Sequence, residues 1–429
     1  MTSKRRGYLF FAILVIAASL ATGTFVHYRK QKQVLTLGVY TGSSWDVPNG
    51  KPYKMVDYAI KEFEKTHPQV TVKYETGVTK NDYLNWLSGK IVSGKTPDLI
   101  LVPDEAFATL ASEGTFMDLN RFLIKDHINL SDYYPSLVKA TQYGGKQLAL
   151  PYEANPQLLL YNEDLLVKNG LPTSWKQLTP DMFGHLCRQL SSQKSHTYGT
   201  TSDYGWYQAD LAYGARILNN GDNEVTLNSP KVLKSLKLIQ QIDNAAHNMT
   251  VTNDLFDQGR VAFEPMTLAQ YRTYTSYPYH VTRSFKFKVN CRQMPAEKGV
   301  NGTSVENTSW AISSNCHKSA LAWEFLKLVC CNPKMQQKLM AYSSASASLR
   351  KVVKSKATNT ILQQYSADKR TLTSQNLDRI LASGYTHPRI RNYSQLYELL
   401  DYRLTRALKQ GDSDTELYEI QSAANNLLK

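Results

Sequence analysis

The chain has 429 residues, which is more than one typical domain and enough for two lobes with separate cores. Its residues are 42% hydrophobic and 20% charged, and the absence of low-complexity tracts excludes an intrinsically disordered protein. The formal net charge is +14, but the Lys and Arg residues are scattered. This distribution favours adhesion to an anionic envelope surface over nucleic-acid binding. We therefore expect no nucleic-acid partner.

The N-terminus carries a basic head followed by an apolar stretch. Lys4, Arg5 and Arg6 precede residues 7–26, which contain no charged side chain. This pattern is typical of a secretory signal or a membrane anchor. Small residues near Gly23 permit cleavage, and the uncleaved stretch is long enough to span a bilayer as a transmembrane helix. We expect residues 1–32 to be a signal peptide or an N-terminal membrane anchor, with the rest outside the cytoplasm.

From residue 33 the chain alternates between strand and helix patterns. Period-2 or short continuous apolar runs predict strands at "VLTLGVY", "VTVKYE" and "DLILVP". Helical spacing predicts helices at "YKMVDYAIKEFEKTHP", "DYLNWLSGKIVSG" and "DEAFATLASEG", with Asp104 as N-cap of the third. This order predicts an open, mostly parallel sheet covered by helices.

The alternation of strand and helix patterns ends at "KQLALPYEANPQLLLYNEDLLVKNGLP". The pattern predicts two short strands separated by "PYEANP", since prolines are excluded from sheet interiors. We interpret this segment as the passage from one lobe to the other. A mostly helical region to about residue 260, a strand at 304–314 and a helical tail of about 95 residues are expected to follow.

The five cysteines are too few and too irregular for a disulfide framework, although one bridge is compatible with their number. No C-x-x-C pair, H-E-x-x-H helix or G-x-S-x-G turn is present. The sequence therefore predicts neither a cofactor nor a metal site.

Several stretches carry a resemblance to a known family. They include "EFEKTHPQVTVKYETG", "SGKTPDLILVPDE", "QGRVAFEPM" and "SWAISSNCHKSALAWEFLKLV", in this order within about residues 33–350. The chain resembles the extracellular solute-binding proteins of carbohydrate ABC importers, which include maltose-binding protein. "GSSWDVPNG", after the first strand, is similar to a motif of a Gram-positive carbohydrate-binding subgroup.

The resemblance implies an α/β, bilobal, periplasmic-binding-protein-like fold with two α/β lobes joined by a hinge of crossing segments. Lobe I would comprise 33–152 plus 308–331, and lobe II 153–307 plus 332–429. Closure would bend the hinge near residues 152 and 306, with a third strand near 332.

The resemblance also implies a function. The protein would be a monomer without enzymatic activity that binds a carbohydrate, which we interpret as an oligosaccharide. Closure of the lobes would then deliver the ligand to the permease subunits of an ABC transporter. One departure is that Gly23 stands where Gram-positive relatives have the lipidated cysteine of a lipobox. Lipid anchoring is therefore not expected, and a secreted form, another solute or a sensing role stays open. An exported glycoside hydrolase is the enzymatic alternative, because several candidates are carboxylates.

Sugar recognition requires carboxylates and amides for hydroxyl groups and aromatic faces for C–H patches. In open α/β sheets such groups converge at the carboxyl ends of strands. Trp45 and Asp46 follow the first predicted strand and Asp104 follows the third. We expect Trp45 to be an exposed platform for a sugar ring and Asp46 to bind hydroxyl groups.

The other candidate ligand-binding residues lie at the crossings, at a strand end and ahead of a helix. They are Tyr152, Glu153, Tyr161, Asn162, Trp206, Tyr207, Glu264, Asn307 and Trp310. Structural roles stay open for all twelve candidates, such as a helix cap for Asp104, a hinge hydrogen bond for Glu153 and core packing for Trp206.

Overall fold

The computed structural model describes residues 32–45, 47, 53–219, 221–274, 285–364, 371–410 and 414–428. The predicted signal or anchor and the candidate Asp46 lie outside the described residues. Across the described ranges, no helix combines the length and apolar character needed to cross a bilayer.

The strands are short except for two, β6 and β10. Their bounds are β1 Gln33–Gly38, β2 Val70–Tyr74, β3 Leu99–Val102, β4 Gln142–Tyr143, β5 Lys146–Gln147, β6 Ala149–Asn162, β7 Tyr198–Thr200, β8 Val261–Thr267, β9 Val289–Arg292, β10 Thr303–Ile312, β11 Ser346–Ala347 and β12 Gly384–Tyr385.

The helices cover the sheet and make up most of the C-terminal region. Their bounds are α1 Lys54–Thr66, α2 Lys80–Val92, α3 Asp104–Ser112, α4 Asn120–Lys125, α5 Pro135–Ala140, α6 Glu163–Lys168, α7 Pro180–Leu190, α8 Trp206–Tyr213, α9 Pro230–Ala245, α10 Asn253–Asp257, α11 Leu268–Tyr274, α12 Ser319–Cys331, α13 Pro333–Tyr342, α14 Arg350–Val353, α15 Lys356–Gln364, α16 Ser374–Ala382, α17 Tyr393–Gln410 and α18 Asp414–Leu428.

The strands join in the order β2-β1-β3-β10-β6-β8-β7, with β11 and β9 also paired to β6 and β12 to β10. β1 is parallel to β2 and β3, which confirms the predicted parallel start. β10 is antiparallel to β3 and β6, and β6 is antiparallel to β8. The sheet is therefore mixed, and β6 and β10 run through both of its halves.

The prediction of two short strands around "PYEANP" is wrong, because β6 is one continuous strand of 14 residues in the sheet interior. Its prolines lie where the ladder is interrupted. Pro151 faces the register shift between Thr308 and Ser309 of β10. Pro156 is the last residue paired with β10, just before the ladder with β8 begins at Gln157. Proline is tolerated at bulges and ladder ends because no donor is needed there.

Two local predictions also need correction. Asp104 is the first helical residue of α3, the N-cap is Pro103, and no side chain caps the helix. No strand lies near residue 332 in this described part of the chain. Asn332 joins α12 to α13 and accepts hydrogen bonds from the backbone N–H groups of Lys334 and Met335. A short strand, β11, instead pairs with β6 at Ala154 and Glu153.

Separate apolar cores lie on the two sides of the crossing strands. The first core packs around β1, β3 and the start of β6, includes Trp310 and Trp323, and extends to Met335 and Leu339. Further cores include Phe256 and Val305 in one cluster, Phe183 and Phe263 in a second, and the α8, α9 and α17 residues in a third. A division into two lobes follows from this separation.

All five cysteines are free thiols, so the single bridge that the sequence allowed is not formed. Four of them are buried. Burial raises the pKa of the Cys187 and Cys330 thiols well above the ordinary value, because a thiolate would lose its hydration.

Candidate functional site

A cavity of about 630 Å³ is enclosed by residues 139–145, residues 206–222 and the C-terminal segment 385–400. The first wall contains the β4–β5 hairpin, whose turn residues Gly144 and Gly145 both have positive φ. A two-residue turn of this kind suits glycine, which has no side chain to clash there. The cavity therefore lies between segments that are distant in sequence.

One side of the cavity is aromatic. Tyr397 of α17 packs against Trp206 and Tyr207 of α8, with ring centroids 5.7 and 5.3 Å apart. Tyr207 also forms a side-chain hydrogen bond with Tyr393. The Trp206 indole N–H donates to Asp401 Oδ1 at 2.9 Å, which fixes the ring in the wall. Such ring faces are suited to the apolar patches of a sugar.

The cavity lining also contains charged groups near Tyr385. Burial raises the pKa of the Tyr385 hydroxyl, and the charges of Arg216, Asp222 and Asp210 also act on it. Arg216 and Asp222 are exposed at the cavity, whereas Asp210 is only 2% exposed. Burial raises the pKa of Asp210 to about 7, opposed by the hydrogen bond from the Ser235 hydroxyl. The cavity thus offers hydrogen-bond donors and acceptors beside aromatic rings.

The candidate Asp104 forms a buried ion pair at the edge of this cavity. Its Oδ1 accepts from Arg389 Nη2 at 2.7 Å, and its Oδ2 lies 2.9 Å from His387 Nε2. Burial alone would raise the pKa of Asp104, but the neighbouring Arg389 and His387 hold it well below its usual range. The structure therefore places Asp104 in a contact between α3 and segment 386–391, and Arg389 in the cavity wall.

The candidates Trp45, Glu153 and Asn307 meet at the hinge instead of the cavity. The Trp45 indole N–H donates to Glu153 Oε2 at 3.1 Å, and the Asn307 amide group lies 3.1 Å from the Glu153 carbonyl oxygen. Burial raises the pKa of Glu153 to about 7, while hydrogen bonds from Ser343, Trp45 and Ser44 oppose the shift.

Trp45 is only 7% exposed, so the expected exposed platform is not what this conformation shows. Its ring packs with Val47, Ala269 and Ala345. Ala269 lies on α11, and Ala345 follows α13. The indole therefore bridges the loop after β1, the helix α11 and the segment that follows α13.

Five other candidates lie inside the two halves of the sheet. Tyr152 and Trp310 pack edge to face in the first core, with centroids 6.1 Å apart. Tyr161 donates to the Thr173 carbonyl at 3.0 Å, and Asn162 caps α6 by accepting from the Leu165 N–H at 2.9 Å. The remaining candidate, Glu264, is fully buried on β8.

Of the twelve candidates, Trp206 and Tyr207 line the cavity. Sequence reasoning missed Asp210, Arg216, Tyr385, Arg389 and Tyr397. The stretch "YTHPRIRNYSQLY" combines aromatic and basic residues, and this composition was the available signal.

Glu306 on β10 was also missed. Its carboxylate accepts from the Asn155 amide at 3.3 Å, and burial, together with the charge of Asp104, raises its pKa to about 7 although the side chain reaches solvent. A carboxylate that is both solvated and closely surrounded by protein lies in a cleft. No group of three or more His, Cys, Asp or Glu side chains in the described ranges is arranged to bind a metal ion.

Comparison with known proteins places this geometry in a family. The family model described as bacterial extracellular solute-binding protein matches residues 58–368. The chain belongs to the bacterial extracellular solute-binding proteins. Membership implies a location outside the cytoplasm.

Individual similarities are more distant. A binding protein of Brucella abortus is 26% identical over 219 residues, covering 47% of this chain and 51% of the relative. The sn-glycerol-3-phosphate-binding periplasmic protein of Rhizobium meliloti is 26% identical over 220 residues, covering 46% and 49%. The chain thus spans about half the length of these relatives.

Among solved structures, the sugar-binding protein MalE of Xanthomonas citri is similar, with 15% identity, a TM-score of 0.75 and coverage of 92% of this chain and 97% of that one. At this identity the similarity shows the fold alone, and it confirms the predicted bilobal α/β architecture.

Proposed function

We propose that this solute-binding protein captures a carbohydrate, an oligosaccharide in size, in the cavity between α8, the β4–β5 hairpin and segment 385–400. The observation that carries the proposal is the composition of the walls. The rings of Trp206, Tyr207 and Tyr397 line the same cavity as the side chains of Asp210 and Arg216. Stacking surfaces combined with bidentate polar groups are what a pyranose requires.

Closure of the lobes would retain the ligand. We propose lobes of 33–152 plus 308–331 and 153–307 plus 332–429, moving about the crossings on β6, β10 and β11. Met335 and Leu339 of the second lobe pack on the first core and connect the two lobes beside these crossings. A ligand that contacts both sides stabilises the closed form, because it binds that form better than the open one. The contacts of Asp104 with Arg389 and of Trp45 with Glu153 would favour closure in the same way.

The closed protein would deliver its ligand, as a monomer and without chemical conversion, to the permease of an ABC importer. Residues 1–32 would hold it at the outer face of the membrane or be cleaved to release it. Mass spectrometry of the exported protein would distinguish these forms, because cleavage near Gly23 removes the basic N-terminal residues and lowers the mass.

The proposal is tested by binding of maltose and maltotetraose to the purified chain, followed by calorimetry and thermal shift. A ligand at a concentration of 100 Kd is expected to add about 2.7 kcal/mol of stability. Intact sugar after incubation supports a receptor, and release of reducing ends identifies a hydrolase. If sn-glycerol 3-phosphate binds and both sugars fail, the carbohydrate proposal is wrong.

Tyr397 provides a mutational test of the cavity. Removal of its ring in Tyr397→Ala is expected to weaken sugar binding about tenfold, because one stacking face is lost. Tyr402→Ala is the matched control, since Tyr402 lies on the same helix and is 69% exposed. Equal affinities of the two variants would exclude the aromatic wall as the sugar contact.

A further inference from the structure

The cavity wall contains a buried carboxylic acid with unused hydrogen-bonding capacity. Asp210 Oδ1 accepts from the Ser235 hydroxyl, whereas Oδ2 has no hydrogen-bond partner among the described residues. The residue is 2% exposed and belongs to the cavity lining. A buried acceptor without a partner costs about 1–3 kcal/mol, so its persistence requires an explanation.

The position of Asp210 is set by two packed helices. It lies in the second turn of α8, and Ser235 lies on α9, which packs closely against α8. The Ser235 hydroxyl oxygen also lies 2.7 Å from the Val232 carbonyl oxygen of its own helix, which fixes its position. The terminal torsion of an aspartate is broad. A small rotation therefore turns Oδ2 toward the cavity without moving the helix.

We propose that Asp210 is a specificity-determining residue of this site, whose Oδ2 accepts a hydrogen bond from a hydroxyl group of a neutral saccharide. This inference rests on the proposed function and adds the chemical class of the ligand. A hydroxyl donor satisfies the buried oxygen, whereas a phosphate ester would bring a second negative charge against it. At the position next to Oδ2, a hydroxyl group is therefore favoured over an anionic group.

The surroundings of Asp210 determine its response to pH. The charge of Asp210 acts on Tyr385 of β12. The other titratable groups that line the same cavity are Lys139, Tyr143, Tyr207, Arg216, Asp222, Arg389, Tyr393 and Tyr397. On α9, Lys231 donates to the Gly214 carbonyl and Lys234 pairs with Asp181 of α7. On β10, Glu306 bonds to Asn155. Burial raises the pKa of Asp210 to about 7, and the ligand hydroxyl would lower it again.

The expected signature is therefore proton release on binding. A donor to the carboxylate favours its ionised form, so maltotetraose affinity should rise with pH between about 6 and 8. Calorimetry in buffers of different ionisation enthalpy should show release of about 0.5 proton per ligand near pH 7. Asp210→Asn should lose this release and bind about 10- to 100-fold more weakly, the value of one hydrogen bond to a charged group.

Asp243→Asn is the matched control. Burial also raises the pKa of Asp243, but this residue lies on α9 at a second, smaller cavity of about 310 Å³. The affinity of Asp243→Asn for maltotetraose should stay within about twofold of the wild-type value. If Asp210→Asn does not fold, Ser235→Ala replaces it. Loss of the serine donor raises the pKa of Asp210, so the midpoint of the proton-release profile should move to higher pH.

The outcomes separate the two proposals. If the wild type binds maltotetraose and Asp210→Asn binds it equally well, the role of Asp210 is wrong and the sugar site stands. Proton uptake instead of release, or tighter binding of sn-glycerol 3-phosphate than of sugar, also overturns the role of Asp210. If the wild type binds neither maltose nor maltotetraose, the carbohydrate proposal fails and this inference fails with it.

Discussion

Asp104→Asn is expected to lower the free energy of unfolding by about 3 kcal/mol, because it leaves a buried guanidinium without its counter-charge. Both side chains of the Asp104–Arg389 pair are 7% exposed, and their atoms are 2.7 Å apart. Arg389 keeps its hydrogen bonds to Thr386 and to the Asp104 carbonyl oxygen and its 3.1 Å contact with His387 Nε2, but none of these partners carries a negative charge. Guanidinium unfolding followed by fluorescence measures the loss.

The neighbouring residue supplies the control for Asp104→Asn. Glu105 pairs with Lys80 at 3.4 Å, but its side chain is 49% exposed. Exposed pairs contribute at most about 1 kcal/mol, so Glu105→Gln should have a small effect. If both variants lose the same small amount, the Asp104 contact is open in the free protein.

The pH dependence gives the Asp104 pair an independent signature. The folded-state pKa of Asp104 lies below the unfolded value of about 3.9, so the folded state binds fewer protons in this range. The stabilisation is fully present above about pH 4 and is lost as the pH falls through the folded-state pKa. Asp104→Asn should remove this part of the acid dependence, and an unchanged acid profile would contradict the ion pair.

The sequence predicted those parts of the fold that depend on local periodicity. The three strands and three helices between residues 33 and 112 have alternating or helical apolar spacing, and each forms where predicted. β6 escaped prediction because the tolerance of Pro151 and Pro156 depends on where β10 and β8 pair with it. The expectation that proline is excluded from sheet interiors considers one strand alone, and it cannot take account of the register of the neighbouring strands.

The candidate site was harder to predict, because its contacts are long-range. Asp104 was recognised as a polar residue at a strand end, but its partner Arg389 lies 285 positions away. In the sequence, Asp210 follows an aromatic stretch and has the features of an ordinary helix residue. Only the structure shows that Ser235 and the cavity lie next to it. Sequence order identifies strand ends, whereas burial and pairing decide which of their side chains remain available.

Trp45→Ala is expected to cost about 3–5 kcal/mol of folding free energy, because the indole fills the space between Val47, Ala269 and Ala345. If Trp45 were the exposed platform predicted from the sequence, removal of its ring would change the free energy of unfolding little. Denaturation without ligand therefore separates a packing role of Trp45 from a ligand-binding role. A loss below about 1 kcal/mol, with weakened sugar binding, would show that the free protein opens and presents the ring to ligand.

Trp45→Phe keeps an aromatic ring but removes the N–H that reaches Glu153. The folded-state pKa of Glu153 is already raised to about 7, so its ionisation opposes folding and stability falls as the pH rises from about 4 to 7. Without the indole donor the pKa rises further, and the fall should continue to higher pH. Trp86→Phe is the control, since Trp86 donates to Glu75 at 2.9 Å on the surface. Lys90 and this hydrogen bond lower the pKa of Glu75, so the profile of the control should match the wild type above about pH 5. Identical profiles for both variants would mean that the Trp45 indole does not hold the hinge carboxylate in solution.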